Sequence, residues 1–177
     1  MKKLKLYITA SNDGYIAPPD GDLDWLIGYP VPSKEDHKNF VDSVDTVIMG
    51  GNTYRNMQIM DILWPYEDKN VHVVTRNPIM EKEGVNFITE NAVEAISKLK
   101  AENGKDIWLV GGAELTSMLL DNDLIDEMII TYIPETLEKG ISLFSQKPEE
   151  MGWVLSEDKI YGNNAVRKAY QKTLQYA

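Results

Sequence analysis

Cysteine is absent from this 177-residue chain, which excludes disulfides, thiolate metal sites, iron–sulfur clusters and a cysteine nucleophile and accords with a reducing compartment. Histidine is nearly absent as well: with only His37 and His72 available, no ligand cluster supports a metal site. No segment approaches the ~20 consecutive apolar residues of a membrane span. Met1–Thr9 has basic residues but lacks the apolar block and small-residue cleavage site of a signal peptide. No membrane partner and a cytoplasmic location are therefore expected. Positive charge is scarce, with 18 Lys plus Arg against 28 Asp plus Glu and a formal charge of −10. Such a field repels DNA and RNA, so nucleic acid is not expected as a partner. A small phosphorylated ligand needs cations gathered locally, and Arg55 and Arg76 are the candidates. Linkers, repeats and low-complexity tracts are also missing, and the length suits one core, so residues 1–177 read as a single domain.

What the chain does have is alternation of strand and helix signals. Apolar runs rich in β-branched residues occur at Leu4–Thr9, Thr46–Met49, Val71–Thr75, Ile107–Val110 and Met128–Ile133, each bounded by Gly, Pro, Asn or Asp. Between them, Ser33–Val44 (with Ser33 as N-cap), Ala92–Glu102 and Ala113–Leu120 have helical spacing. The alternation predicts an α/β fold with a mostly parallel central sheet flanked by helices on both faces. Trp153–Tyr161 and Val166–Tyr176, separated by Gly162-Asn163-Asn164, predict a C-terminal antiparallel hairpin. Gly14–Pro32 and Gln58–Asn70 read as irregular loops.

The sharpest local signal is Asp106-Ile107-Trp108-Leu109-Val110-Gly111-Gly112-Ala113-Glu114-Leu115, a buried strand delivered through two glycines to a helix start. The first amides of a helix lack internal partners and carry partial positive charge, so such a junction can hold a phosphate. The same pattern also serves as a plain strand-to-helix turn.

Four segments in this order resemble the dihydrofolate reductase superfamily. They are most similar to the branch containing the reductase domain of the bifunctional riboflavin-biosynthesis deaminase-reductase and its small stand-alone relatives. The segments are Ser11-Asn12-Asp13-Gly14-Tyr15-Ile16-Ala17 with Asp22–Leu26 behind it; Val47–Tyr54; Val73-Val74-Thr75-Arg76-Asn77-Pro78; and the Gly111-Gly112 junction with Leu124–Glu127, Pro134, Gly140 and Leu143-Phe144. The resemblance implies a dihydrofolate-reductase-like fold, an NADPH cofactor across the carboxyl ends of the strands, and hydride transfer to a small heterocyclic substrate. It also implies pairing of two copies, since relatives in this branch are often dimers.

The cofactor-binding set implied by the resemblance is Ala10, Tyr15, Ile16, Gly50, Gly51, Thr53, Thr75, Arg76, Val110, Gly111, Gly112, Ala113, Glu114 and Leu115. Within it, Gly111, Gly112 and the amides that follow hold the diphosphate, Gly50 and Thr53 present a second helix start, and Arg76 reads the 2′-phosphate. One departure stands out. Family members commonly carry Gly-Arg where this chain has Gly50-Gly51, so one phosphate-reading cation is missing and the preference for NADPH over NADH is open. For the substrate, the resemblance points to Trp25, Asp36 and Phe40. Asp36 lies one helical turn before Phe40, and as the catalytic group it would be a carboxyl of raised pKa in an apolar pocket. It reads equally as an acid favoured in a first helical turn. No deaminase partner is expected, since the chain has no zinc-binding cysteines. A dihydrofolate reductase and a nucleotide-binding protein that reduces nothing remain alternatives on this reading.

Overall fold

The structure is a computed structural model that describes residues 1–59, 64–78 and 82–173. Alternating strands and helices follow one another as β1 (Leu4–Ser11), β2 (Tyr15–Ala17), α1 (Lys34–Asp42), β3 (Val44–Gly50), α2 (Gly51–Ile59), β4 (Asn70–Val74), β5 (Val85–Ile88), α3 (Ala92–Ala101), β6 (Asp106–Gly111), α4 (Ala113–Asp121), β7 (Glu127–Ile133), β8 (Ile141–Ser142), β9 (Trp153–Ile160) and β10 (Val166–Lys172). Eight of the strands form one sheet in the order β5-β4-β3-β6-β1-β7-β10-β9. The pairs from β5 to β7 are parallel, and β10 runs antiparallel to both β7 and β9.

Period-2 alternation divides the core between the two faces of this sheet. Leu4 and Leu6 of β1, Ile48 of β3 and Ile107 and Leu109 of β6 pack with Ile96 of α3 and with Leu115 and Leu119 of α4. Val47 and Met49 of β3, Val71 and Val73 of β4 and Trp108 of β6 face the other way, against Phe40 of α1 and Tyr54 of α2. Burying each such side chain contributes about 1.5–3 kcal/mol, and two filled faces make the central strands near-continuous apolar runs. No helix among the described residues is long and apolar enough to cross a membrane.

The expected elements are present with small shifts at their ends. Ser33 caps α1, its hydroxyl accepting the Asp36 N–H at 3.1 Å. Val44, expected in that helix, instead opens β3 as a fully buried residue. Within the expected Gly14–Pro32 loop, β2 pairs with β8 as a separate two-stranded ribbon, and β5, for which the sequence predicts no element, extends the sheet edge beside β4. Residues 60–63, within the expected Gln58–Asn70 loop, and residues 174–176, at the end of the expected last strand, lie outside the described residues.

Because β1, β3, β4, β6 and β7 are parallel, their carboxyl ends share one edge of the sheet. Every turn from strand to helix emerges there, which is where open α/β sheets form ligand crevices.

Candidate active site

A cleft of about 1160 Å³ crosses that edge. One end is built from backbone. α2 begins at Gly51 directly after β3, and α4 begins at Ala113 with Gly112 as an N-cap that offers no side-chain hydrogen bond. The first amides of α4 are thus left for solvent or a ligand. β3 and β6 are neighbours in the sheet, so the two helix starts lie side by side: a Cβ on Gly50 would sit 3.7 Å from both the Gly111 carbonyl oxygen and the Gly112 nitrogen. The Gly111–Gly112 peptide is cis. Gly111 has a φ of +124°, a conformation that favours glycine.

Thr53, Thr75, Arg55 and Arg76 line this end. The Arg55 guanidinium donates to the Asn52 side-chain carbonyl and stands in front of Gly51: a Cβ there would be 3.4 Å from Arg55 Nη1. The same Cβ would lie 2.7 Å from Thr75 Oγ1 and 2.9 Å from Thr75 Cβ. Thr75 therefore closes the space that a side chain at position 51 would need, and Arg55 supplies a cation beside the vacancy.

The other end is aromatic and apolar. Tyr7, Thr9, Leu26, Tyr29, His37, Trp108, Thr131 and Ile133 line it. Tyr7 stacks on Phe40 with centroids 3.9 Å apart and meets the edge of Trp108 at 5.7 Å. The Trp108 indole N–H donates to the Tyr7 carbonyl at 3.0 Å, and His37 Nδ1 lies 3.4 Å from Tyr7 Oη. Burial lowers the pKa of the His37 imidazole and raises that of the Tyr7 phenol. Both groups are therefore neutral at pH 7. Ile16 and Ala17 of β2 and Ile141 of β8 cover this end. That ribbon is tied down by Asp13, which accepts the N–H groups of Leu137 and Glu138 at 3.2 and 2.8 Å.

Of the expected site residues, Ile16, Gly50, Gly51, Thr53, Thr75, Arg76, Val110, Gly112, Ala113, Glu114 and Leu115 do line the cleft. Ala10, Tyr15, Gly111, Trp25, Asp36 and Phe40 do not. Ala10 is fully buried in the core, and Phe40 lies beneath Tyr7. The Trp25 indole N–H is buried without a partner among the described residues.

Asp36 requires a correction. Its carboxylate accepts from Lys159 Nζ at 2.8 Å and Tyr161 Oη at 2.6 Å, both contributed by the C-terminal hairpin region. The Lys159 and Tyr161 hydrogen bonds hold its pKa below the usual carboxylate value. The expected raised pKa in an apolar pocket is the opposite of this. Burial and that same bond push the Tyr161 phenol up to about 12. The helix face that points into the cleft carries His37, to which the sequence assigned no chemistry. His37 and Phe40 are three residues apart and Asp36 and Phe40 are four apart, so helical spacing alone fits either residue.

Comparison with known proteins agrees with this architecture. Residues 2–163 match the RibD C-terminal domain. The chain belongs to that family. An uncharacterised protein of Bacillus subtilis (strain 168), YwjB, is 40% identical over 162 residues, covering 91% of this chain and 93% of its own. A solved structure provisionally assigned as a riboflavin biosynthesis protein, from Shewanella sp. PV-4, superposes with a TM-score of 0.81 at 28% identity, covering 98% of this chain and 99% of that one. Dihydrofolate reductase from Enterococcus faecalis, solved with NADP(H), gives 0.70 at 19% identity over 97% and 96% of the two chains, a likeness of fold. Membership of the RibD C-terminal family thus goes with a fold of the dihydrofolate-reductase type.

Proposed function

We propose that the chain is an NADPH-dependent reductase of the riboflavin-biosynthesis type. It would pass a hydride to a small heterocycle of the 5-amino-6-(5-phosphoribosylamino)uracil class in the cytoplasm. The observation that carries this reading is the polarity of the cleft: two adjacent glycine-flanked helix starts with Arg55 and Arg76 at one end, and an aromatic pocket without a described carboxylate at the other. The residues suit the cofactor. Helix N-termini, close-approach glycines and guanidinium groups recognise a diphosphate and a phosphate monoester, and the apolar Ile16 and Ala17 in the cleft lining suit a nicotinamide. When bound, the cofactor supplies the hydride, and the protein's part is orientation, exclusion of water and hydrogen bonding to the substrate edge.

The site of the hydride acceptor lies at the Tyr7–His37–Trp108 end, next to the β2–β8 ribbon. A test is the loss of NADPH absorbance with the ribosylaminopyrimidinone phosphate and, separately, with dihydrofolate. Turnover of the first alone is expected. Turnover of dihydrofolate alone, or saturable NADPH binding with turnover of neither, would overturn the assignment.

The chain is also proposed to work as a homodimer joined at β9. Apart from Trp153, every residue of this eight-residue edge strand is exposed on both faces, with Val154 at 52% and Ile160 at 72%. Unpaired strand edges are a liability in a monomer, and Val154, Leu155 and Ile160 are the exposed apolar positions of this one.

A further inference from the structure

We propose that the aromatic end of the cleft excludes a substrate's phosphate, so that the dephosphorylated ribosyl form is taken in preference to the phosphate ester. The proposal rests on the reductase reading above and narrows it, keeping the ring class and removing the phosphate from what is recognised. A phosphate monoester carries a charge of about −1.5 to −2 at pH 7, and proteins hold it with guanidinium or ammonium groups. The chain has 18 Lys and Arg, all of them among the described residues, so every cation one subunit can offer has a known place. Only Arg55 and Arg76 line the cleft, and both stand at the helix-start end, where the cofactor is proposed to lie. The aromatic end offers Tyr7, Thr9, His37, Trp108 and Thr131, with burial holding His37 neutral. Arg167 lies over the Tyr7 ring, 6.0 Å from its centroid, but it lines a separate pocket with Asp36 and Glu157, and its Nε is 3.8 Å from the Glu157 carboxylate. Lys159 is paired with Asp36 at 2.8 Å, and Lys34 is followed directly by Glu35 and Asp36 at the exposed start of α1.

The mouth adds charge of the wrong sign for a phosphate. Gly14–Ser33, the segment that frames this end through Gly21, Leu23 and Leu26, contains Asp20, Asp22 and Asp24 and no Lys or Arg. All three acids are exposed, and none has an ion-pair partner among the described residues. Local hydrogen bonds hold them in a row: the Asp20 carboxylate accepts the Asp22 N–H at 3.0 Å, and the Asp22 carboxylate accepts the Asp24 N–H at 2.9 Å. The acids thus alternate with the lining residues Gly21 and Leu23. With a formal charge of −10 on the whole chain, their field is not cancelled from elsewhere. A phosphate that enters this end meets no cation, and one left at the rim meets three carboxylates.

Phosphatase treatment of the ribosylaminopyrimidinone phosphate supplies two probes that differ only in the phosphate. Each is titrated into the intact protein by quenching of tryptophan fluorescence, with saturating NADP+ present so that no turnover occurs, and each is then assayed for oxidation of NADPH. The dephosphorylated form is expected to bind about tenfold more tightly at low ionic strength, and the ratio should shrink as salt is added, because exposed charges are screened. The triple variant Asp20→Asn, Asp22→Asn, Asp24→Asn keeps the side-chain acceptors of the loop. It should melt close to the wild type, bind NADPH as before, and bring the ratio near one by tightening the phosphorylated form alone. Tighter binding of the phosphorylated form, equal binding of the two at low salt, or a ratio that the folded triple variant leaves unchanged would overturn the proposal with the reductase reading still standing. If the variant does not fold, the salt dependence of the wild-type ratio decides. Absence of NADPH oxidation with both forms would remove the reductase reading and this proposal with it.

Discussion

Asp36→Asn tests whether that carboxylate does chemistry or holds the fold. In the structure it joins α1 to the C-terminal hairpin region through Lys159 and Tyr161. The Lys159 side chain is 46% exposed, so solvent and salt screen that ion pair to about 0.5 kcal/mol. The bond from the half-buried Tyr161 hydroxyl to a charged acceptor is the stronger contact, about 1.5 kcal/mol. An asparagine keeps an acceptor for Tyr161 and loses the charge, so Asp36→Asn should cost about 1 kcal/mol and Asp36→Ala about 2 kcal/mol. For a chain of this size those losses correspond to melting points lower by about 2–4 and 4–8 °C. The pH dependence has a definite sign. A carboxylate whose folded pKa is lowered contributes its full stability above its unfolded value of about 3.9 and loses it as the pH falls through the folded value. The gap between wild type and Asp36→Asn should therefore be constant from pH 5 to 8 and close below about pH 4. Scanning fluorimetry across pH measures this, alongside NADPH titration and initial rates of NADPH oxidation. An Asp36→Asn protein with an unchanged melting point and hydride transfer reduced about a hundredfold would refute the structural assignment and restore Asp36 as a proton donor.

Arg55→Ala and Arg76→Ala should each weaken NADPH about tenfold and leave NADH nearly unchanged, because a guanidinium on the 2′-phosphate acts on only one of the two cofactors; equal losses in both titrations would remove that residue from the 2′-phosphate site. Gly140→Ala should lower stability by about 3 kcal/mol or more, since Gly140 has a φ of +153° and its Cβ would meet the Ala17 carbonyl oxygen at 2.1 Å; urea unfolding measures the loss, and a neutral substitution would show that the ribbon does not sit on the cleft as described. Ile160→Lys should shift the protein from dimer to monomer in sedimentation velocity with NADPH affinity intact, and a wild type that is already monomeric would refute pairing through β9.

Local patterns in the sequence determined most of the fold. Five core strands, three helices, the Ser33 cap and the C-terminal hairpin follow from hydrophobic period, capping residues and Gly-Asn turns, each of which acts within a few positions of the chain. The two glycine-flanked helix starts of the cleft were equally legible, because strand–glycine–helix junctions are local and parallel strands carry them all to one edge. The weakest signals were missed: β5 has four residues, and β2 and β8 are three- and two-residue pieces whose pairing is their only support. The lining of the aromatic end was decided by tertiary structure alone. Asp36 and His37 are adjacent, and one step along a helix turns a side chain by about 100°, so sequence spacing admits either. Tyr7, thirty positions earlier, draws His37 into the cleft, and Lys159 and Tyr161, 123 and 125 positions later, draw Asp36 away from it. The crowding at Gly51 is likewise tertiary, since the Thr75 side chain beside it follows the neighbouring strand. Local sequence sets which segments become strand and helix, while the direction a polar side chain takes is set by charges and rings that only the folded sheet brings beside it.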